Sequence, residues 1–502
     1  MKPLEHERAV MLCAVEHHHF FARDRWLLID VNSLCVVRST EVDGVILETA
    51  SPAFLTRHDL IAEVVERGYK LTDVETRLDA LIESRFLLAP GDEPVLAKLG
   101  QPTRYATFMV NVSQRCNLTC PYCYVNKGNF DYAEKPIPRM RADTAAEIVN
   151  KIYADFPGLG TYGYHFYGGE PLLNFKVIEQ IVASAETKAS ETRTSADYHI
   201  TTNGTLLSRE IADFMDRHRF TVYFSIDGDE AHHDELRKYI NGKGSFADVE
   251  RNLAYLRTKP GVHLIGSSVI RKGLPLHEAL QYLGRHGAKQ CKAERVRLRK
   301  DEALALEDTQ HDEYIRDIKG LIDHYVDHLS SGRKPIDFRL SSKIFQLYTR
   351  TRRNFFCPAG ERMFGISSNG EVYPCALHVG RPQSKLGDIR TGVDRKKQQA
   401  FRKKFSPVEQ KECRTCWTRH ICGGGCSAMV DRFGHEDCRS LRAESEAAIA
   451  VFQHFVETDP LQLIGLVSPK MVQWANGELD DPDQLRPAEV AAQRAHEESI
   501  AS

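Results

Sequence analysis

The chain has 502 residues, with 67 Lys and Arg against 69 Asp and Glu and a net charge of −2. That balance excludes a general nucleic-acid binder, which needs a strong basic excess, and no apolar run reaches the roughly 18 residues of a membrane span. A content of 42% hydrophobic and 27% charged residues is that of a globular protein of several domains. Met1 to Glu7 is charged and leads into no signal-peptide core, so a cytoplasmic location is expected.

The chain opens on a small α/β unit over residues 1–90. Trp26–Asp30 and Ser33–Val37 read as two short strands around a turn at Val31-Asn32. Helices are expected near 40–50, 57–67 and 73–84, the last opening on Thr72-Asp-Val-Glu75, a capping box. Val74, Leu78, Leu81 and Ile82 share one face of it. Residues 85–89 close as a third strand, which makes the unit winged-helix-like. Residues 91–103, with Gly91, Pro94, Gly100 and Pro102, read as a linker.

From 104 to 345 strand and helix patterns alternate. The strands fall at 105–112, 162–167, 197–202, 220–226, 263–270 and 292–298, with amphipathic helices such as 143–154 and 175–190 between them. Six β-then-α units predict an α/β fold with a parallel sheet, open or closed into a partial barrel. Residues 346–456 are Cys- and Gly-rich, too broken to build a large apolar core and better suited to folding around metal. A helix near 440–456 (Leu441, Ile449, Phe452, Phe455) is expected to pack on them. The tail, 457–502, reads as disordered or loosely helical beyond about residue 475.

The 13 cysteines are not scattered. Three fall at Cys116, Cys120 and Cys123, directly after the first strand of the parallel sheet. Seven more are Cys357, Cys375, Cys413, Cys416, Cys422, Cys426 and Cys438. In a reducing compartment these are poor disulfide candidates and better metal ligands or redox groups. Three thiolates on one short loop can hold three corners of a cubic iron–sulfur cluster and leave the fourth iron open. A zinc knuckle would need a nearby fourth ligand, and buried free thiols are the plainest alternative.

The stretch CNLTCPYCY at 116–124 resembles the cluster loop of radical S-adenosylmethionine (SAM) enzymes. The resemblance implies that the open iron binds the amino and carboxylate groups of SAM, and that Tyr122 lies against the adenine. HFYGGEP at 165–171 is similar to the family's GGEP motif, so Gly168, Gly169, Glu170 and Pro171 are implied to hold the SAM ammonium. Asn203 follows the third strand. Ser225, which matches a ribose contact in related enzymes, and Asp227 follow the fourth. Arg237, in HHDELRKY, resembles an arginine that pairs with the SAM carboxylate. Ligands of parallel α/β sheets bind beyond the carboxyl ends of the strands, so these pieces should meet at one mouth.

The seven later cysteines resemble a SPASM domain, which carries auxiliary [4Fe–4S] clusters in peptide-modifying radical SAM enzymes. The resemblance assigns Cys413, Cys416, Cys422 and Cys438 to one complete site and Cys357, Cys375 and Cys426 to another. The first cysteine of the second site is missing, since 349–356 reads TRTRRNFF. Cys291, a non-Cys ligand or water, or a cysteine of the substrate are the candidates to complete it. With the SAM-binding cluster, that makes three [4Fe–4S] clusters.

Residues 1–90 resemble the leader-recognition domain of enzymes that mature ribosomally made peptides, which binds an extended leader along an edge strand. A chain starting near Gln101 would then keep SAM cleavage and lose the precursor. The whole is identified as a radical SAM/SPASM peptide maturase, similar to those that install Cys thioethers. The resemblance implies a precursor peptide and an external electron donor of flavodoxin or ferredoxin type as partners, and neither nucleic acid nor membrane. Carbon–carbon cross-linking, epimerisation and sulfatase-type formylglycine formation are the enzymatic alternatives; a non-catalytic iron–sulfur protein and a zinc-dependent DNA-binding regulator are the others. His17-His18-His19 reads as a solvated polar run, Cys13 and Cys35 as small apolar fillers, and the basic run at 395–404 as a solvated helix face.

Overall fold

A computed structural model describes residues 11–100, 104–123, 139–298, 302–436 and 438–466. The N-terminal domain holds two antiparallel sheets. One joins β1 (Met11–Ala14) to β5 (Leu55–Thr56) and β6 (Leu87–Leu88); the other has the order β2 (His17–Ala22), β3 (Arg25–Asp30), β4 (Val36–Ser39). Two of these strands precede the first one read from the sequence. The β3–β4 turn is longer than expected because Asp30 organises it: its carboxylate accepts from Asn32 N–H at 2.8 Å and Ser33 Oγ at 2.6 Å. Leu34 there takes φ 58°, so β4 begins only at Val36.

The three expected helices form as α1 (Glu41–Thr49), α2 (Arg57–Glu66) and α3 (Leu71–Glu83). The capping box lies at Thr40 and Asp43, not at Thr72. Asp73 and Val74 N–H both donate to the Lys70 carbonyl, so α3 starts earlier and Thr72 falls within its first turn. Val74, Leu78 and Leu81 are buried, as their spacing requires.

The histidine run is not solvated. It forms half of β2, where the flat apolar faces of the rings find partners. His18 stacks on Trp417 at 3.8 Å and meets Glu446 at 3.2 Å, while His19 stacks on Trp26 at 4.6 Å. Arg419 pairs with Glu16, and Phe20, Leu27, Ile29 and Leu34 belong to the same core as the large sheet. The stretch read as a linker is anchored too: Ala97 N–H donates to the Asn32 carbonyl, and β7 (Lys98–Leu99) pairs with β14 (Thr351–Arg352). A chain starting near Gln101 would therefore lose part of a shared core, and the two halves do not separate cleanly.

The central sheet runs β13 (Gln290–Arg295), β12 (His263–Ile270), β11 (Thr221–Ser225), β10 (Ser195–Thr202), β9 (Thr161–Gly168), β8 (Tyr105–Ser113), all parallel. It is the expected six-stranded partial barrel. It continues where sequence patterning ended it: β15 (Met363–Ile366) joins β8 in parallel and leads into β16 (Glu371–Tyr373) and two further short strands. Helices α4 (Ala142–Asp155) and α5 (Phe175–Thr192) cover the sheet, and α6 (Cys438–Thr458) buries Ile449 and Phe455. No helix among the described residues is long and apolar enough to cross a membrane. The tail beyond Leu466 lies outside the described residues.

Candidate active site

The carboxyl ends of β8 to β12 meet at one mouth, and a chain of buried polar contacts joins them. β8 delivers the Cys116–Cys123 loop. At the end of β9, Gly168 has φ 132°, and a Cβ on it would lie 1.9 Å from the Ser113 carbonyl oxygen. A Cβ on Gly169 would lie 2.5 Å from the Arg115 carbonyl oxygen. What approaches the paired glycines here is the backbone feeding the cysteine loop, held by Gly169 N–H to Ser113 O at 2.8 Å and Glu170 N–H to Arg115 O at 2.9 Å. Pro171 then opens a single 3₁₀ turn capped by the Glu170 side chain.

Glu170 is fully buried. Its carboxylate accepts from Leu172 N–H at 3.0 Å, Thr202 Oγ1 at 2.8 Å and Asn203 N–H at 2.8 Å, so it ties the end of β9 to that of β10. Burial lifts its carboxyl to about 7 in spite of these donors. The folded chain then keeps a proton that the unfolded chain has released from about pH 4.5 upward. Stability should fall between these pH values, by on the order of 3 kcal/mol, and level off above. Denaturant unfolding of the cofactor-free chain against pH checks this; Glu170→Gln should flatten the slope.

Asn203 reaches the cysteine loop, its Nδ2 donating to Asn117 Oδ1 at 2.9 Å and lying 3.6 Å from Cys116 Sγ. Asn117 in turn donates to Thr205 at 2.8 Å. On the other side, Tyr122 donates its phenol hydrogen to Asp227. Asp227 also receives Arg237 Nε at 2.9 Å and Val269 N–H at 2.9 Å. Burial is the largest single influence and would raise the Asp227 carboxyl; Arg237 and the hydrogen bonds from Tyr122 and Val269 together outweigh it and hold it below the usual range. The Arg237 guanidinium lies 5.7 Å from the centre of the Tyr122 ring. Ser225, at the end of β11 and two positions before Asp227, is half-buried.

Several residues of the site are silent in a motif search. His233 is buried, takes the Asp227 N–H on Nδ1 at 3.3 Å and meets Ser245 Oγ at 3.0 Å with Nε2, and Ser245 donates to the Arg237 carbonyl. Burial pushes this imidazole down to about 3, so it is neutral and positions the ion pair. Below the mouth, His165 meets Thr201 at 2.8 Å and stacks on Tyr223 at 5.2 Å, while Tyr105 meets His199 at 3.2 Å. Their alternation along β9 and β10 was the available signal.

All 13 cysteines are free thiols. Burial pushes Cys116 up to about 12 and Cys120 to about 11, the latter drawn back by Arg237. Such thiols are poor nucleophiles on their own and become thiolates when a metal takes the proton's place. Cys413, Cys416, Cys422 and Cys438 line one small cavity with His435 and Arg442. Cys357, Cys375 and Cys426 form a separate set. Gly423, Gly424 and Gly425, all at positive φ, reverse the chain between Cys422 and Cys426 and send them to different sets. Cations face both sets: Arg402 and Arg353 lie near Cys357, and Lys343 near Cys422. No group of three or more His, Cys, Asp or Glu among the described residues forms a site for a single metal ion. Sets of thiols gathered from separate segments suit iron–sulfur clusters, whose irons are held by cysteine thiolates.

Cys291 is not near them. It pairs in register with Gly266, over which Leu283 lies, so its side chain is buried between the sheet and a covering helix at the far end of β13. Among the described residues no cysteine completes the three-membered set. The segment before that set, Thr351 to Arg353, instead lines a cavity of about 510 Å³ with Tyr223, Gln290 and Phe345. Gln346 Oε1 and Arg352 Nε at this cavity are buried without a hydrogen-bond partner among the described residues.

A family model for the radical SAM superfamily matches residues 110–279, and one for an iron–sulfur cluster-binding domain matches 357–417. An uncharacterized protein of Methanocaldococcus jannaschii is 34% identical over 283 residues, 56% of this chain and 87% of that one. The chain belongs to the radical SAM superfamily. The cysteine-type anaerobic sulfatase-maturating enzyme of Clostridium perfringens is 25% identical, over 64% of this chain and 88% of its own length. Native anSMEcpe with bound AdoMet superposes with a TM-score of 0.59 at 21% identity, covering 70% of this chain and 99% of that one, which is a likeness of fold. This radical SAM enzyme thus pairs a SAM-binding barrel with a cysteine-rich iron–sulfur domain.

Proposed function

We propose that this radical SAM enzyme matures a ribosomally made peptide by closing a thioether between a peptide cysteine and a carbon of the same chain. The supporting observation is the three-cysteine set at Cys357, Cys375 and Cys426, next to a segment that opens on a cavity reaching into the barrel. In this reading the loop cysteines hold the SAM-binding cluster, and the other seven hold two auxiliary clusters, one with a position free for the peptide's sulfur. Bound together, the cluster and SAM would supply the one-electron chemistry that removes a hydrogen atom from the peptide carbon, and an auxiliary cluster would take up the remaining electron as the S–C bond forms and the thiol proton leaves.

The chain's own residues bind and orient. Arg237, neutralised on one side by Asp227, presents its remaining guanidinium nitrogens to the SAM carboxylate. Glu170 and the backbone at Gly168 and Gly169 take the ammonium, Tyr122 borders the adenine and Ser225 the ribose. Gln346 and Arg352 line, with Tyr223 and Phe345, the cavity that would take the peptide. Several relatives are named sulfatase-maturating enzymes, which supports a polypeptide substrate.

The leader would add to β4, one of the two outer strands of its sheet. Cys35 carbonyl accepts from Asp30 N–H, and alternation along β4 then turns the backbone of Val36 and Arg38 outward. Arg38→Pro removes one outward donor without touching the β3 ladder. Its precursor affinity should fall about tenfold, with SAM cleavage unchanged, as isothermal titration and nucleoside quantification would report.

The deciding test is anaerobic turnover of short Cys-bearing peptides, beginning with any that an open reading frame beside this gene encodes. A product lacking two hydrogens whose cysteine resists alkylation supports the thioether. The same mass with an alkylatable cysteine points to a carbon–carbon link, and unchanged mass with an inverted centre to epimerisation; either outcome rejects it.

A further inference from the structure

Directly after the short helix Glu230–Leu236 the chain doubles back as a hairpin against the outside of the cysteine loop. Lys238 and Gly244 face each other, Tyr239 N–H donates to the Lys243 carbonyl at 2.9 Å and Gly242 N–H to the Tyr239 carbonyl at 2.9 Å. The hairpin is fastened to the loop as well. Thr119 N–H donates to the Lys238 carbonyl at 2.8 Å, Leu118 bridges Tyr239, and the Tyr239 phenol donates to Asp248 at 2.6 Å. A turn held this firmly carries Ile240 at its tip, 75% exposed, the most exposed large apolar side chain among the described residues. Lys238 and Lys243 flank it, both exposed.

The nearby carboxylates do not neutralise these lysines. Asp234 accepts from Ser245 and Phe246 N–H, Asp248 from Tyr239 and Arg251, and Glu235 pairs with Arg271. Neither lysine has an ion-pair partner among the described residues. An apolar centre rimmed by uncompensated cations suits a small, transient, charge-steered contact. Its position restricts the partner's chemistry: the hairpin is bonded to Thr119, and the next residue, Cys120, is one of the three loop thiols.

We propose that the hairpin at Lys238–Lys243 is the docking surface for an acidic one-electron carrier protein that reduces the group held by Cys116, Cys120 and Cys123. This rests on the reading of that loop as the SAM-binding cluster site. One electron leaves the reduced carrier and one enters that group; no atom is transferred. Lysine charge steers the carrier in, and Ile240 excludes water at the point of contact.

The test uses the cluster-loaded enzyme and a purified bacterial flavodoxin, with binding and electron delivery measured separately. Wild type should bind flavodoxin with an affinity that falls as salt rises. Lys238→Glu with Lys243→Glu, and separately Ile240→Glu, should each weaken binding at least about tenfold and slow flavodoxin-driven 5′-deoxyadenosine formation, while dithionite-driven formation is unchanged. Flavodoxin affinity and rate equal to wild type in both variants would overturn the proposal. So would a loss confined to precursor binding, which would make the hairpin a peptide surface. If wild type forms no 5′-deoxyadenosine even with dithionite, the cluster-loop reading fails instead, and the flavodoxin affinities alone decide the docking surface.

Discussion

Replacing Cys116, Cys120 and Cys123 together by alanine should lower bound iron from about 12 to about 8 atoms per chain, since each cubic cluster carries four. Reductive cleavage of SAM should disappear altogether. The loss stays confined because the loop hangs from β8, whereas the other seven cysteines lie in two sets built from Cys357 onward. Retained SAM cleavage by the triple variant would refute the assignment of the loop. Loss of all iron would mean that the three sets are not independent.

Replacement of Arg237 by methionine should have the next largest effect. It keeps most of the side-chain volume and leaves Asp227 buried without its cation, which costs about 3–5 kcal/mol. Its pH signature differs from that of a simple packing defect. In wild type the Asp227 carboxyl is held below its unfolded value, so its contribution is present above the usual carboxylate range and lost as pH falls through the folded value. Without Arg237, burial dominates and the folded value rises above the unfolded one, so this group's contribution is lost as pH rises instead. Denaturant midpoints across the acidic range would show the reversal. SAM affinity should fall as well, and adding Asp227→Asn to the Arg237→Met variant, which removes the uncompensated buried charge, should recover stability but not SAM affinity.

Both expectations concern residues that the sequence already places at strand ends, yet their arrangement is tertiary. Alternation of apolar residues located each barrel strand to within a few residues, because in a sheet covered by helices burial repeats along every strand. Cysteine spacing and the GGEP and HHDELR stretches marked the mouth, because these motifs are local in the chain and their chemistry follows from residue type. The same local reading misjudged His17-His18-His19. Nothing in three consecutive histidines indicates that Trp417, four hundred positions away, supplies a flat face for one of them. It likewise read residues 91–103 as a free linker, although Ala97 is held by the turn that Asp30 organises.

The chain alone determined which side chains can bind iron and which elements carry them. The family resemblance carried the division of the seven later cysteines into two sets, which the fold repeats, but nothing in the chain decided where Cys291 points. Nor could the chain show that Tyr122, Asp227 and Arg237 form one buried group. Both depend on strand register, where neighbours in space come from segments far apart in sequence. A polar group's partner is set by whatever backbone the fold brings within about 3 Å of it, and that distance exists only once the sheet has closed.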